Sequence, residues 1–209
     1  MPSNIERPAG YVSQTRRIVT IWTVALAAVA LILVSHDPSG RDSLARTTIR
    51  SAGLCLILAA VIGRLWSTLY IGGRKNAVLV TTGPYSISRN PLYFFSILGA
   101  AGIGLAFGSL VVAAVLGGAI AAILAATAHR EAALLGQRFG TSYEAYAARV
   151  PLLLPRLSLY HDAEMPSFQP SALRRALRDG LLFLLAVPAA ELVAYAKRAE
   201  LLPKLIALF

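Results

Sequence analysis

An apolar run from residue 92 to residue 127 constrains the fold of this chain more than any other feature. A helix crosses the hydrocarbon core of a bilayer with about 20 residues, so a run of this length exceeds a single span. Its best break signal is the tripeptide Phe107-Gly108-Ser109. The sequence therefore predicts two membrane helices of about 16 to 19 residues each, joined there by a tight turn.

The composition agrees with a membrane protein. Of the 209 residues, 56% are hydrophobic and only 14% are charged, and the mean hydropathy is +0.63. These values are too apolar for an ordinary soluble domain. The net charge of +10 does not indicate nucleic acid, because the basic residues flank apolar spans and form no basic–aromatic repeat. We therefore expect membrane lipids as partners, and no nucleic acid.

The N-terminal part of the chain is predicted to supply two membrane helices. Residues 1–17 are polar and basic and form a predicted cytoplasmic segment. Residues 18–71 contain two apolar helices, the first at 18–34 and the second at 44–71. The loop between them contains proline and glycine, which end helices.

The rest of the chain divides into a core and a C-terminal segment. Residues 72–155 hold the hairpin and a stretch at 129–148 that is predicted to form an amphipathic interfacial helix or helix pair. Residues 156–209 form a linker and a final helix with Ser171 as its cap. The apolar part of this helix either crosses the membrane as a kinked fifth span, which we favour, or lies partly within the interface. The predicted fold is all-α, a polytopic helical bundle of about five transmembrane helices with a tight helical hairpin and a cytoplasmic amphipathic C-terminal motif.

The basic residues predict the orientation in the membrane. One end of the hairpin carries most of them: Arg74, Lys75, Arg89, Arg130, Arg138, Arg149 and Arg156. Arg41, Arg46 and Arg50 favour the opposite orientation but are outnumbered. Because positively charged loops stay in the cytoplasm, we expect a protein of a bacterial inner membrane with its functional site facing the cytoplasm.

Two polar clusters flank the hairpin and are predicted to form one site. The hairpin returns the chain to the side on which it began, which places residues 82–93 near residues 129–155. Polar atoms need partners at a membrane, so a cluster of them at a helix entry suggests a ligand site. The candidate residues are Pro84, Tyr85, Arg89, Asn90 and Tyr93 in the first cluster, and Glu131, Tyr146 and Arg149 in the second.

The residue types in these clusters suit a zwitterionic, partly aromatic cofactor. Arginine and asparagine can bind a carboxylate, a glutamate can bind an amino group or sugar hydroxyls, and tyrosines can stack on a base or face a cation. The three histidines, His36, His129 and His161, are scattered, and Cys55 is the single cysteine. No metal site, catalytic triad, phosphate-binding loop or dinucleotide fingerprint is therefore predicted.

At these residues the sequence resembles a known family. Gly83-Pro84-Tyr85, followed by Arg89-Asn90-Pro91-Leu92-Tyr93, is similar to the signature of the isoprenylcysteine carboxyl methyltransferase superfamily, which includes phospholipid methyltransferases. Arg64-Leu65-Trp66 resembles the family's Arg-x-Trp in the preceding span. Segments 131–134, 139–146 and 149–151 resemble its C-terminal motif, which ends here at Pro155.

The resemblance implies an integral membrane methyltransferase that uses S-adenosylmethionine and releases S-adenosylhomocysteine. The implied acceptor is a lipophilic molecule that enters sideways between helices, such as a prenylcysteine-like carboxylate, an amino lipid or a related isoprenoid. A small thiol also stays open as the acceptor. The implied cofactor-binding residues are Pro84, Tyr85, Arg89, Asn90, Tyr93, Glu131 and Tyr146, and the implied catalytic residues are Glu131 and Arg149.

Two positions depart from the family pattern, and two other functions stay open. Arg130 stands where the family shows the first of two glutamates, and Phe95 stands where a glycine is common. One alternative is a nicotinamide-dependent reductase of the membrane sterol type, although such enzymes usually have asparagine at the position of Leu92. The other is a degenerate family member that binds lipid or acts as a scaffold.

Two charged residues lie inside apolar runs. A charge at the centre of a bilayer costs about 2.5 to 3.5 kcal/mol on insertion scales. We therefore expect Arg64 to face the bundle interior or the cytoplasmic end. Glu191 is expected either to pair with an arginine or to line the path of the substrate.

Overall fold

The computed structural model of the protein describes residues 19–20, 23–24, 26–33, 35–36, 44–72, 78–162, 169–203 and 206–207. The helical residues within 19–33 are called α1. The other helices are α2 (Leu44–Ile71), α3 (Pro84–Ile87), α4 (Pro91–Ala106), α5 (Leu110–Phe139), α6 (Thr141–Arg149), α7 (Pro170–Leu184) and α8 (Ala186–Arg198). A 3-10 turn spans Leu157–Leu159, and two short strands, β1 (Ser35–His36) and β2 (Ile206–Ala207), pair in parallel. The predicted all-α class is confirmed.

Three helical stretches of the described residues are long and apolar enough to cross a membrane. They are Leu44–Ile71, Leu110–Phe139 and the nearly continuous pair α7 and α8, Pro170–Arg198. Helix α4 is apolar but shorter, with 16 residues. The first predicted span, 18–34, lies partly outside the described residues, so the count of five spans stays a prediction.

The hairpin turns where the sequence predicted. Helix α4 ends at Ala106 and α5 begins at Leu110. Gly108 has a φ of 79°, a conformation that costs a glycine little, and the Ser109 side chain accepts a hydrogen bond from the Val112 amide at 3.2 Å. The turn is therefore fixed by a left-handed glycine and a helix cap.

The second arm of the hairpin is longer than predicted. Helix α5 has 30 residues and continues through His129 to Phe139, so the prediction of a separate amphipathic helix beginning at His129 is wrong. No proline interrupts it, and it ends where Gly140, with a φ of 52°, donates its amide to the Gly136 carbonyl at 2.9 Å. The separate amphipathic element is the short helix α6.

Glycines let the backbones of α2, α4 and α5 approach each other closely. A Cβ atom on Gly53 of α2 would lie 2.4 Å from the Ala106 amide nitrogen. A Cβ atom on Gly104 of α4 would lie 2.2 Å from the Ala113 amide nitrogen of α5. Such contacts are typical of helix packing in membranes. They hold α4 between α2 and α5 and so position the start of α4, where the candidate site lies.

Both charged residues within apolar runs have partners. Arg64 of α2 donates a hydrogen bond to the Ser96 hydroxyl of α4, and its guanidinium lies 5.7 Å from the centre of the Phe183 ring. Arg64 therefore faces neighbouring helices, as predicted. Glu191 forms an ion pair with Arg50, which confirms the first of its two predicted roles.

The start of α7 differs from the prediction. Gln169, and not Ser171, occupies the cap position, and no side chain caps the helix. Pro170 provides the start instead, because its fixed φ suits the first helical position. Leu185 separates α7 from α8, three residues before Pro188, which has no amide hydrogen to continue the helix.

We expect Gly104→Ala to destabilise the protein and Gly118→Ala to leave its stability unchanged or slightly raised. The first substitution places a methyl group against the α5 backbone, whereas nothing lies within 4 Å of a Cβ on Gly118. Overpacking of this kind costs about 1–3 kcal/mol. Thermal unfolding of the two detergent-purified variants measures the difference. Equal melting temperatures would contradict the close contact of α4 and α5.

Candidate functional site

The first polar cluster is built on a single helical turn, α3. Pro84 begins this turn, and Gly83 before it has a φ of 59° and a ψ of −132°. A Cβ on Gly83 would lie 2.3 Å from the Tyr70 ring of α2. Only glycine meets both requirements without strain. The Gly-Pro pair therefore holds the turn against the end of α2.

The two polar clusters are joined by hydrogen bonds between extended segments. The Arg89 amide donates to the Pro151 carbonyl, and the Arg156 amide donates to the Ile87 carbonyl, both at 2.9 Å. Between them, the Ser88 hydroxyl donates to the Leu153 carbonyl at 2.9 Å. The structure thus brings together the segments that the sequence predicted to meet.

Two side chains strengthen this contact. The Asn90 side-chain amide donates to the Leu152 carbonyl at 3.1 Å, so Asn90 fixes the second segment and makes no side-chain cap to α4. The Tyr146 hydroxyl of α6 donates to the Tyr85 carbonyl at 2.7 Å. Both bonds join residues that are distant in the sequence and hold the two walls of the site at a fixed separation.

A cavity of about 100 Å³ lies between these walls. Six predicted site residues line it: Tyr85, Arg89, Asn90, Tyr93, Glu131 and Tyr146. They come from α3, from the link between α3 and α4, from the start of α4, from the C-terminal third of α5 and from α6. The remaining wall includes the apolar side chains of Leu79 and Leu135.

Three residues considered in the sequence do not line the cavity. Pro84 is buried behind it, where it shapes α3. Arg149 is exposed on α6, and its Nε donates to the Ala145 carbonyl at 3.3 Å. Arg130, at the position of the first family glutamate, is also exposed. The catalytic role of Arg149 stays a prediction without support from this placement.

Two residues that line the cavity have a buried hydrogen-bond donor without a protein partner. The Tyr85 hydroxyl is buried and unpaired, and the buried Nε of Arg89 is also unpaired. Burial raises the pKa of Tyr85 and that of Tyr146 above their usual value, so both phenols stay protonated at neutral pH. A buried donor without a partner is costly unless a ligand supplies an acceptor.

Sequence reasoning missed one residue of the site, Tyr143. Its hydroxyl accepts a hydrogen bond from Nη1 of Arg89 at 3.2 Å, and its ring centre lies 6.2 Å from that of Tyr146. The signal that could have found it is the spacing of three residues between the two tyrosines, which places both on one face of a helix. Tyr143 orients the guanidinium of Arg89 toward the cavity.

A separate apolar groove of about 600 Å³ borders the other side of α3 and α4. Its lining includes Trp66, Ile87, Phe94, Phe95, Leu157 and Tyr160. A Cβ on Gly63 would lie 2.2 Å from the Phe95 ring, so this glycine makes room for the phenylalanine that departs from the family pattern.

The groove wall at Tyr160 is held by a carboxylate. The Tyr160 hydroxyl donates to Asp162 at 2.9 Å, and the Tyr70 hydroxyl of α2 donates to the other oxygen of the same carboxylate at 2.6 Å. The hydrogen bond to Asp162 raises the pKa of Tyr160. The Tyr160 ring centre also lies 6.0 Å from that of Trp66. These contacts attach the segment after α6 to α2.

Comparisons with known proteins agree with this arrangement. The sequence profile of the phospholipid methyltransferase family matches residues 49–142. The nickel-cobalt-cadmium resistance protein NccN of Alcaligenes xylosoxydans xylosoxydans is 34% identical over 93% of this chain and 91% of its own length. The cobalt-zinc-cadmium resistance protein CzcN of Cupriavidus metallidurans is 36% identical over 81% of this chain and 78% of its own length. No solved structure matches the chain significantly.

The names of these relatives raise the question of a metal site. Within the described parts of the chain, no three or more His, Cys, Asp or Glu side chains lie close enough together to hold a metal ion. The polar residues of the site described above are arginine, asparagine, tyrosines and a single glutamate.

We expect Tyr146→Phe to destabilise the site. The substitution removes the donor to the buried Tyr85 carbonyl, and an unsatisfied buried group costs about 1–3 kcal/mol. Tyr195→Phe is the matched control, because Tyr195 is exposed on α8. Thermal unfolding in detergent compares the two variants. A Tyr146→Phe protein that melts with the wild type would show that this bond does not hold the two walls together.

Proposed function

Because this chain belongs to the phospholipid methyltransferase family, we propose that it transfers a methyl group from S-adenosylmethionine to a lipophilic acceptor at the membrane surface. The observation that carries the proposal is the buried, unpaired hydroxyl of Tyr85, a residue that lines the same cavity as Arg89 and Glu131. A family match alone does not identify a cofactor, but unpaired donors beside a carboxylate favour a polar ligand.

The residues present fit the chemical groups of S-adenosylmethionine. Arg89 suits its carboxylate, and Glu131 suits its amino group or ribose hydroxyls. The tyrosine rings suit the adenine base and the positive sulfur. Tyr85 can donate its hydroxyl hydrogen to an acceptor atom of the cofactor, which would satisfy a group that is otherwise unpaired.

The size of the cavity implies that binding reshapes it. Its volume of about 100 Å³ is below the roughly 300–1,000 Å³ of pockets that enclose a drug-sized ligand. Cofactor entry therefore requires lining side chains to move outward. Val78 is the exposed residue of the lining, so it can move without losing buried contacts, whereas Leu79 beside it packs against the cluster of Tyr143 and Tyr146.

The proposed reaction requires little acid–base catalysis by the protein. The sulfonium of S-adenosylmethionine supplies an activated methyl group, and its sulfur keeps the electron pair of the broken bond when an acceptor atom forms the new one. The protein contributes proximity, alignment and exclusion of water. Glu131 is the side chain in the cavity that can take a proton from an amine or thiol acceptor, because Tyr85 is held as a neutral phenol.

We assign the acceptor's hydrocarbon part to the apolar groove. Its lining is aromatic and aliphatic apart from the hydroxyl of Tyr160 and the indole N–H of Trp66, and it shares α3 and α4 with the polar cavity. Ile87 and Phe94 face the groove, while Tyr85 and Tyr93 face the cavity. A lipid in the groove would therefore lie against the same two helices that form the cofactor wall.

The names of the relatives suggest a cellular role for the reaction. Both relatives are named for resistance to cobalt, cadmium and either nickel or zinc. We propose that methylation of a membrane acceptor by this chain likewise supports growth in the presence of such metals.

Isothermal calorimetry on the detergent-purified protein tests cofactor binding. We expect S-adenosylhomocysteine to bind with micromolar affinity and Glu131→Gln to weaken this binding at least about tenfold, since a hydrogen bond to a charged group is lost. Glu144→Gln is the matched control, because Glu144 is exposed on α6 and does not line the cavity. Binding of NADPH in place of the adenosyl ligand would overturn the proposal and favour a reductase.

Transfer of radiolabelled methyl from S-adenosylmethionine to total membrane lipid extract tests the groove. We expect Leu157→Arg to lower the transfer severalfold, because it introduces a charge into an apolar groove, while S-adenosylhomocysteine affinity stays unchanged. Leu154→Arg is a close control, since Leu154 and Leu157 are each 75% exposed and only Leu157 lines the groove. Equal losses of transfer in both variants would argue against the assignment.

A further inference from the structure

A second polar pocket lies between α2 and α8, away from the candidate site. Its volume is about 230 Å³. Its polar residues are Thr47, Arg50 and Ser51 of α2 and Glu191 of α8. Its apolar residues are Leu54, Ala106, Val187 and Ala190.

This pocket lies near the membrane surface opposite the candidate site. Helix α4 begins at Pro91 beside the candidate cavity and ends at Ala106 in the second pocket. Its 16 residues correspond to roughly 24 Å along the helix axis. A single small molecule does not span that distance, so the pocket is separate from the proposed methyltransferase site.

The length of α2 places the pocket at the depth of the lipid headgroups. A helix of 28 residues is roughly 42 Å long, whereas the hydrocarbon core is about 30 Å thick. The first two turns of α2 contain the polar residues Thr47, Arg50 and Ser51, and the apolar run follows from Ala52. The polar part of the pocket thus lies at the boundary, and Leu54 lies toward the hydrocarbon.

The pocket presents one positive and one negative group that retain unused hydrogen-bonding capacity. Arg50 binds Glu191 through Nη2 and the Ala106 carbonyl through Nε, the latter at 3.3 Å. The Glu191 side chain is 60% exposed and that of Arg50 is 26% exposed. The guanidinium has further N–H groups, and the carboxylate has a second oxygen.

Two hydroxyl groups stand beside this ion pair. Thr47 and Ser51 lie three residues before and one residue after Arg50, so all three share one face of α2. Both are exposed and line the pocket. They can donate to an oxygen atom that Arg50 also binds.

We propose that this pocket binds the headgroup of a zwitterionic phospholipid with a primary ammonium group, as in phosphatidylethanolamine. The phosphate accepts hydrogen bonds from Arg50, Thr47 and Ser51, and the ammonium donates to Glu191. The apolar residues contact the first methylene groups of the acyl chains. Phosphatidylglycerol can offer Glu191 only neutral hydroxyl donors, which bind a carboxylate more weakly than an ammonium does, and a choline headgroup has no N–H to donate to it. The bound lipid connects α8 to α2.

Native mass spectrometry of the full-length protein in detergent tests this inference. The protein is mixed with phosphatidylethanolamine, phosphatidylcholine or phosphatidylglycerol of identical acyl chains. We expect phosphatidylethanolamine to be retained about tenfold more than the other two lipids, as suits charge-assisted hydrogen bonds. Glu191→Gln is expected to remove this preference, and Glu144→Gln, an exposed carboxylate at the other end of the molecule, is expected to keep it.

A second variant covers the case in which loss of the ion pair disturbs folding. Thr47→Val combined with Ser51→Ala removes the two exposed hydroxyls and leaves Arg50 and Glu191 in place. We expect it to lower the retention of phosphatidylethanolamine severalfold without a change in melting temperature. Equal retention of all three lipids, a preference for phosphatidylglycerol, or unchanged retention in both variants would overturn the proposal. A preference for phosphatidylethanolamine that survives in both variants would place this lipid at another site, such as the apolar groove. The variants thus separate failure of this proposal from failure of the proposed methyl transfer.

Discussion

The pairing of two non-helical segments, residues 87–90 and 151–156, is the interaction on which the rest of the site depends. Irregular backbone needs hydrogen-bond partners for its amide and carbonyl groups, and next to the hydrocarbon region of a membrane those partners come from the protein. Here the backbone groups of Arg89 and Arg156 bond to the carbonyls of Pro151 and Ile87, and Ser88 adds a side-chain bond between them. The cavity forms because the backbone groups of these two segments bond to each other, which leaves side chains free to line both sides of the contact.

This pairing also separates two chemical environments. Tyr85 and Tyr93 contact a polar cavity that contains arginine and glutamate, whereas Ile87 and Phe94 contact an aromatic groove. Short elements achieve this because successive residues of a helix point in different directions. A water-soluble ligand and a lipid can therefore approach the same two helices from different phases, and neither has to cross the other's binding surface.

The features that the sequence predicted correctly depend on local chemistry. The bounds of α2 and the break at Gly108 follow from hydropathy and from helix-breaking residues. The meeting of the two polar clusters follows from the hairpin. The failures have nonlocal or competing causes: α5 continues past His129 because polarity alone does not end a helix, and Pro170 starts α7 in place of a Ser171 cap. The role of Tyr143 could not be predicted because it depends on where Arg89, 54 residues away in the chain, places its guanidinium.

The hydrogen bonds between residues 87–90 and 151–156 make these two segments less tolerant of insertions and deletions than the rest of the chain. Residues 87–90 and 151–156 are matched carbonyl by carbonyl, so a one-residue insertion in either would misalign every later bond. The hairpin between them must return its ends to the same place, and the glycine contacts set how its arms pack against each other and against α2. Whole helical turns could be added to or removed from α2, α4 and α5 together, which would fit the bundle to bilayers of different thickness without altering the cavity. Changes in the length of the membrane helices can thus adapt this protein to a different membrane, while the chemistry of the cavity stays unchanged.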